Sequence, residues 1–381
     1  ADHPSSAPPE DPLRQRTYPP STQRRDEPNT KIVVTGCAAQ IEPETFVDMK
    51  EVDKVIGNSE KRDMASHLLR NNNNLVSDIM TNKDPLNSLS AGYKNKTRAF
   101  VEIQNGCNHR CTFCVIPYGR GNLRSKPKEQ IIIEINDLIS KGHKEIILTG
   151  VDIASWNMEN HNESSLGVLI EYILNKIPSL ERLRLSSMDI IGFDEKLIEL
   201  IANNKRILPH IHLSLQSGDN LILKRMKRRH LREDAIELCK ELKQRRPEIS
   251  FGADLIVGFP TETEEMFQNT LNIVEECQLD WIHAFPFSPR PGTPAAKMPQ
   301  NDSKVIKQRS KVLREVARKR KKSYLENLVG KSIEVFVEKD NKGYSNQFAP
   351  IKLIEKNIES GQTITALIKT SDENFAHGVA I

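Results

Sequence analysis

Three cysteines in one short segment carry the strongest chemical signal in this chain. Cys107, Cys111 and Cys114 follow a C-x3-C-x2-C spacing within NGCNHRCTFCVIPYGRG, residues 105–121. The Asn, Gly and Pro around them favour a loop, which can wrap a compact group. Three thiolates can hold three irons of a [4Fe–4S] cluster and leave the fourth iron open to a bound molecule. A zinc site is the plainer alternative, and it would need a fourth ligand such as His109. The other three cysteines are Cys37, Cys239 and Cys277, the last two in helical patterns beside Leu238 and Val274. Cys239 and Cys277 read as buried free thiols. Clustering of this kind argues against a disulfide scaffold and for a reducing, cytoplasmic setting.

Further candidates surround this loop. GADLIVGFPTET (252–263) runs from a strand through Gly258 and Pro260 toward a helix, and Thr261 and Glu264 have capping-box spacing. KRMKRRH (224–230) offers Arg225, Arg228 and Arg229. One of them could pair with a carboxylate or phosphate, or the run could be a solvated helix end.

The elements that must position these residues alternate. Strand candidates AFVEIQ (99–104), EIILTG (145–150), RLRLSS (182–187), IHLSLQ (211–216), SFGADLIV (250–257) and WIHAF (281–285) are separated by helical patterns. Strand–helix alternation implies parallel βαβ units, and six of them make a partial barrel. The cysteines then follow the first strand, at the C-terminal end where barrel active sites lie. In IHLSLQ, His212, Ser214 and Gln216 alternate with Ile211, Leu213 and Leu215; in RLRLSS, Arg182, Arg184 and Ser186 alternate with leucines. Alternation puts each polar set on one face. A polar lumen suggests a cavity for a polar ligand; the other reading is a one-sided, solvent-facing sheet.

The flanks read differently. Residues 1–30 are Pro-, Ser- and charge-rich and are expected to be disordered. KIVVTG (31–36) and KVIGN (54–58) read as strands, EPETFVDMK and SEKRDMASHLLR as helices, and NNNN (71–74) opens a polar linker to about residue 96. A basic helix over 302–326 carries ten Lys or Arg and one Glu within 304–322. Short strands with glycine turns follow, so 328–381 is expected to be a small all-β domain. At 381 residues, 37% hydrophobic and 28% charged, the chain has room for several cores, and its net charge of +4 is mild. No stretch approaches the roughly 18 apolar residues a membrane span needs.

Residues 31–381 resemble the methylthiotransferase family of radical S-adenosylmethionine (SAM) enzymes. VTGCAAQ (34–40), VEIQNGCNHRCTFCVIPYGRGNLRS (101–125), HLSLQSGDNLILKRMKRRH (212–230), GADLIVGFPTETEEMF (252–267) and FPFSPRPGTPAAKMP (285–299) carry the likeness. Phe113, before the last cysteine, also fits. The resemblance implies an α/β fold: an N-terminal cluster-binding domain over 31–96, truncated here and including the linker, a partial (βα)6 radical SAM barrel with its basic helix over 97–327, and a C-terminal TRAM domain over 328–381. It implies a [4Fe–4S] cluster on Cys107, Cys111 and Cys114, with SAM on the open iron. Phe113, Asp152 in LTGVD, Ser186, Ser214, Gln216, Arg228 and Asp254 are the implied SAM-binding residues.

Within the family the segments most resemble the branch acting on N6-threonylcarbamoyladenosine beside the tRNA anticodon, which adds a methylthio group at carbon 2 of the adenine. Other branches act on isopentenyladenosine or on a ribosomal protein. The resemblance also implies an auxiliary cluster on three N-terminal cysteines, of which Cys37 matches the last and two are missing. Truncation, a frameshift or a degenerate copy are the readings; a complete chain would be an RNA-binding or SAM-cleaving remnant without sulfur insertion. The implied partners are a tRNA anticodon stem–loop, met partly by the basic helix, and an electron donor such as flavodoxin or ferredoxin. A monomer away from membranes is expected.

Overall fold

The structure is a computed structural model that describes residues 30–70, 72–84, 86, 97–160, 165–354 and 358–381. The expected disorder over 1–30 falls, but for Thr30, outside them, as does most of the linker end at 87–96. Two compact units divide at Ile79/Met80.

The first unit holds strands β1 (Val33–Thr35), β2 (Lys54–Ile56) and β3 (Asn74–Leu75), paired in parallel in that order. Its helices are α1 (Cys37–Ile41), α2 (Pro43–Val47) and α3 (Met64–Leu68). Ala39, Phe46 and Val55 form its small core. β3 lies where a linker was expected, because its pairing to Val55 and Ile56 overrides a polar Asn run.

The second unit begins its barrel with β4 (Arg98–Asn105), then α4 (Ile116–Arg120), β5 (Arg124–Ser125), α5 (Lys128–Ser140) and β6 (Glu145–Gly150). It continues through α6 (Leu166–Lys176), β7 (Arg182–Leu185), α7 (Glu195–Asn203), β8 (His210–Gln216), α8 (Asn220–Arg225) and α9 (Arg232–Arg245). β9 (Ser250–Val257), α10 (Glu264–Glu276), β10 (Leu279–Pro286) and the long α11 (Ser303–Glu326) complete it. β4, β6 and β7 pair in parallel, as do β8, β9 and β10. Bridges Leu183–Ile207 and Met188–Leu213 join the two sheets. Among the described residues no ladder joins β10 to β4, so the barrel is open on that side.

Period-two alternation sorts the strands as the sequence implies. Val101, Ile146, Leu183, Leu213, Ala253 and their strand-mates pack against the helices in the main core. The opposite parity faces the lumen. The capping-box expectation does not hold: Thr261 has φ +67°, and Thr263 caps α10 by accepting from the Met266 N–H. The positive φ at Thr261 takes it out of the helical approach.

β11 (Ser332–Val337), β12 (Lys342–Ser345), β13 (Pro350–Leu353), β14 (Thr363–Ser371) and β15 (Ala376–Ala380) close into a separate barrel. Its tip plugs the N-terminal end of the large barrel. Ser250 Oγ donates to the Gln347 carbonyl at 2.7 Å, and Arg184 donates to the Asn346 carbonyl at 3.2 Å. The Phe348 ring stacks on His210 at 5.1 Å. Glu145 takes the Nε of both Arg182 and Arg184 at 3.0 Å. These two arginines therefore build a buried floor rather than lining a ligand cavity, a correction to part of the polar-lumen expectation. Among the described residues no helix is long and apolar enough to cross a membrane.

Candidate functional site

The cysteine loop leaves β4 at its C-terminal end and is held by close backbone contacts. Gly106 has φ +73°, and a Cβ there would lie 1.9 Å from the Asn122 carbonyl oxygen, so only glycine fits. The Cys107 N–H donates to the Gly121 carbonyl at 3.1 Å. Thr112 is tied at both backbone and side chain to the end of α8, through Met226 and Arg225 carbonyls at 3.1 and 2.8 Å. The Gln104 amide donates to the Asn105 and Gly106 carbonyls at 3.1 and 2.6 Å, and its oxygen accepts the Asp152 N–H at 2.7 Å. Sequence reasoning missed Gln104; its lumen parity one residue ahead of Asn-Gly-Cys was the available signal.

Cys107, Cys111 and Cys114 are free thiols of intermediate exposure. Burial raises the Cys107 thiol to about 11 and also pushes Cys114 up. Thiolates must form to bind metal, so loading this loop releases protons. The donor set fits an iron–sulfur cluster better than one zinc ion. The ligand atoms of Cys107, His109 and Asp152 lie within 4.8 Å of one another, and His109 Nε2 is 2.8 Å from Asp152 Oδ2. A single ion there would leave Cys111 and Cys114 unused. Three soft thiols on one loop instead match a cluster with one open iron.

Several of the residues expected to bind SAM lie near this end of the lumen, whereas Asp254 lies mid-strand on β9. Arg228 is nearly buried, donates to the Ser214 carbonyl at 2.6 Å, and places Nη1 3.8 Å from Cys111 Sγ. It also pairs with Asp189 at 3.1 Å, and Arg229 reaches the same carboxylate at 3.5 Å. Burial pushes the Asp189 carboxyl up, but His230 and the two arginines outweigh it and hold it far below its ordinary value. Arg225 turns away, 3.4 Å from the Thr261 carbonyl. Ser186 Oγ is buried with no hydrogen-bond partner among the described residues, and a polar ligand could satisfy it. Ser214 lies on the lumen face of β8, whereas Gln216 ends the strand after a register shift, with φ +72° and Leu255 as its partner.

Phe113 packs edge-on to Phe259 at 6.4 Å, in an apolar cluster with Met226 and Phe287. Gly258 abuts α11, where a Cβ would lie 2.6 Å from Ile306, so its closeness serves helix packing. Asp254 bonds His212 and His283. Cys37 opens α1 in the first unit, with the Asn58 amide 3.8 Å from its sulfur. Cys239 and Cys277 are buried, as expected.

Two open cavities flank the cysteine loop. One, of about 800 Å³, is lined by Arg110, Lys224, Lys227, Arg228, Arg229 and His230 among others. The other, of about 1000 Å³, includes Lys83, Arg124, Lys126 and Lys128. α11 is less free than its charge suggests. Arg309 pairs with Glu262 at 2.8 Å, Arg318 with Glu315 at 2.8 Å, and Arg320 with Glu275 at 3.1 Å. Lys304, Lys307, Lys311 and Arg314 remain exposed along it.

The radical SAM superfamily pattern matches residues 101–274. A threonylcarbamoyladenosine tRNA methylthiotransferase, MtaB of Rickettsia prowazekii, is 43% identical over 358 residues, covering 94% of this chain and 85% of that protein. Its counterpart in Aquifex aeolicus is 38% identical, over 91% of this chain and 85% of its own length. Among solved structures, the radical SAM methyltransferase TsrM of Kitasatospora setae aligns with a TM-score of 0.55 at 16% identity, over 70% of this chain and 57% of that one, which speaks to the fold alone.

Proposed function

The chain belongs to the MtaB branch of the methylthiotransferase family of radical SAM enzymes, and from that premise we propose that it adds a methylthio group to carbon 2 of N6-threonylcarbamoyladenosine in a tRNA anticodon loop. The observation that carries this reading is the 43% identity over 94% of the chain to an enzyme of that name. Two relatives named tRNA-2-methylthio-N(6)-dimethylallyladenosine synthase are 36% and 35% identical, below the 43% and 38% of the first two MtaB relatives and level with the 34–35% of three others.

Cys107, Cys111 and Cys114 would hold the [4Fe–4S] cluster and leave one iron for SAM. With SAM bound, that centre supplies the one-electron chemistry needed to activate an aromatic C–H bond, which no side-chain acid or base can do. The chain's own residues position and shield it. Arg228 holds positive charge beside the thiolates, and Asp189 fixes its direction. Ser186, Ser214 and Gln216 offer polar contacts from the lumen wall to SAM, and Phe113 with Phe259 keeps one side of the loop dry. Asp152, just after β6, braces the cysteine loop through His109. Cys37 would give one thiolate to the auxiliary cluster that sulfur insertion requires in this family.

The basic cavities at the mouth and the exposed face of α11 would meet RNA phosphates, with affinity falling steeply as salt rises. The small β-barrel reads as a TRAM-type RNA-binding domain. Unstacked loop bases would supply specificity. A cytoplasmic monomer served by a flavodoxin- or ferredoxin-like donor completes the proposal.

The test is nucleoside mass analysis of tRNA from a host lacking the activity, with and without this chain. Conversion of threonylcarbamoyladenosine to its 2-methylthio form is expected. Conversion of isopentenyladenosine alone would overturn the assignment.

A further inference from the structure

Halfway down the lumen, three polar side chains from three neighbouring strands form one linked group. Asp254 on β9 accepts from His212 on β8 and from His283 on β10, each at 3.0 Å to the same carboxylate oxygen. An ionised carboxylate only accepts, so His212 Nε2 and His283 Nδ1 must both carry hydrogen. The imidazole rings lie 4.9 Å apart. His212 is largely buried, and its ring fills the space left by Gly252, where a Cβ would sit 2.5 Å from Nδ1. His283 differs: its side chain is 60% exposed, so its second nitrogen faces open space.

That space is the unpaired side of the barrel, between β10 and β4. Phe285 and Phe100, 47% and 49% exposed, border it from these strands. Phe285 lies edge-on to His283 at 6.4 Å. Exposed aromatic faces suit a flat base, and a cationic imidazole suits an anion. His283 stands three residues short of the C-terminal end of β10, about 10 Å below the mouth at ordinary strand rise. RNA phosphates at the rim would not reach that depth, whereas a substituent hanging from an inserted base would.

Resting on the function proposed above, we infer that His283, oriented by Asp254 and His212, is the specificity-determining residue that binds the carboxylate on the N6 substituent of the target adenosine. The hydrogen bond to Asp254 holds the His283 imidazole above its ordinary value, which favours the cation. Asp254 itself is pushed up by burial but held well below the carboxylate range by the two ring donors. The other titratable neighbours are His212, and deeper in the lumen His210 and Arg184. An apolar isopentenyl substituent offers this cation nothing and would leave it desolvated. His283 acts on which adenosine enters, leaving the chemistry to the cluster.

The experiment uses the reconstituted protein and three anticodon stem–loop RNAs. They carry threonylcarbamoyladenosine, its neutral methyl ester, or isopentenyladenosine. The wild type should bind the acid about 10- to 100-fold more tightly than the ester, the range for a charge-assisted hydrogen bond. His283→Phe should bring acid and ester within about twofold, and His283→Lys should restore the preference. An undiminished acid-over-ester ratio in His283→Phe overturns the inference, as does a stoichiometric divalent ion bound by His212, Asp254 and His283. Failure of the wild type to bind or convert any threonylcarbamoyladenosine RNA would instead strike the underlying function.

Discussion

Serine at positions 107, 111 and 114 should leave the purified protein without barrel-bound iron and without 5′-deoxyadenosine production, a fall of at least about three orders of magnitude. The cofactor carries this chemistry, so no partial activity survives its loss. A single replacement should act nearly as strongly as the triple one, because the three ligands work as a unit. Burial already keeps Cys107 and Cys114 protonated without metal. The loop depends on iron binding to draw off those protons, and two thiols offer too little to do so. The fold should persist, since these side chains lie in a loop outside the main apolar core. Anaerobic iron analysis and chromatography of SAM products check both parts. Serine variants that keep iron and cleave SAM would remove the site from this loop.

Glu145→Gln is expected to be the most destabilising single change in the barrel. Glu145 is 1% exposed and is the shared partner of Arg182 and Arg184. Burial alone would raise its carboxyl, but Arg184 and Arg182 together bring it below its ordinary value. Neutralising it removes the carboxylate shared by two buried guanidinium groups and leaves Arg184 with no ion-pair partner among the described residues, which costs about 3–5 kcal/mol. Arg182 keeps Glu334 and Asn346 as partners. Among the described residues Arg184 keeps the Asn346 carbonyl and the Phe348 face, 5.0 Å away. The damage should therefore spread to the joint with the small β-barrel. The linkage has a definite sign: because the folded pKa is depressed, the contribution is full above roughly pH 4.3 and disappears as pH falls through the folded value. Urea unfolding at neutral pH reads the effect, and a change below about 1 kcal/mol would contradict it.

Much of this architecture was legible because strand alternation and turn residues are local. EIILTG and SFGADLIV form strands over the residues their patterns mark, β6 at Glu145–Gly150 and β9 at Ser250–Val257. The cysteine spacing and its Asn, Gly and Pro neighbours marked a loop after the first barrel strand, and Cys107, Cys111 and Cys114 do lie between β4 and α4. What escaped the sequence depends on distant partners. Arg182 and Arg184 looked like lumen residues, and nothing nearby announced Glu145 or the tip around Phe348. WIHAF showed a strand, but the pairing of His283 with Asp254, 29 residues away, exists only once β9 and β10 align. Thr261 had the spacing of a cap, yet a positive φ after Pro260 moved that role to Thr263. β3 is two residues long and held by pairing, so its Asn-rich sequence gave no strand signal. The charge of α11 was visible, whereas its neutralisation by Glu262, Glu275 and Asp280 required the packed barrel.

The most direct measurement is the electron paramagnetic resonance spectrum of the anaerobically reconstituted, dithionite-reduced protein, recorded with and without SAM. A [4Fe–4S] signal whose shape shifts when SAM is added is predicted, because the ligand would sit on the iron that Cys107, Cys111 and Cys114 leave open. A spectrum indifferent to SAM, or a protein that takes up zinc and no iron, would contradict the account.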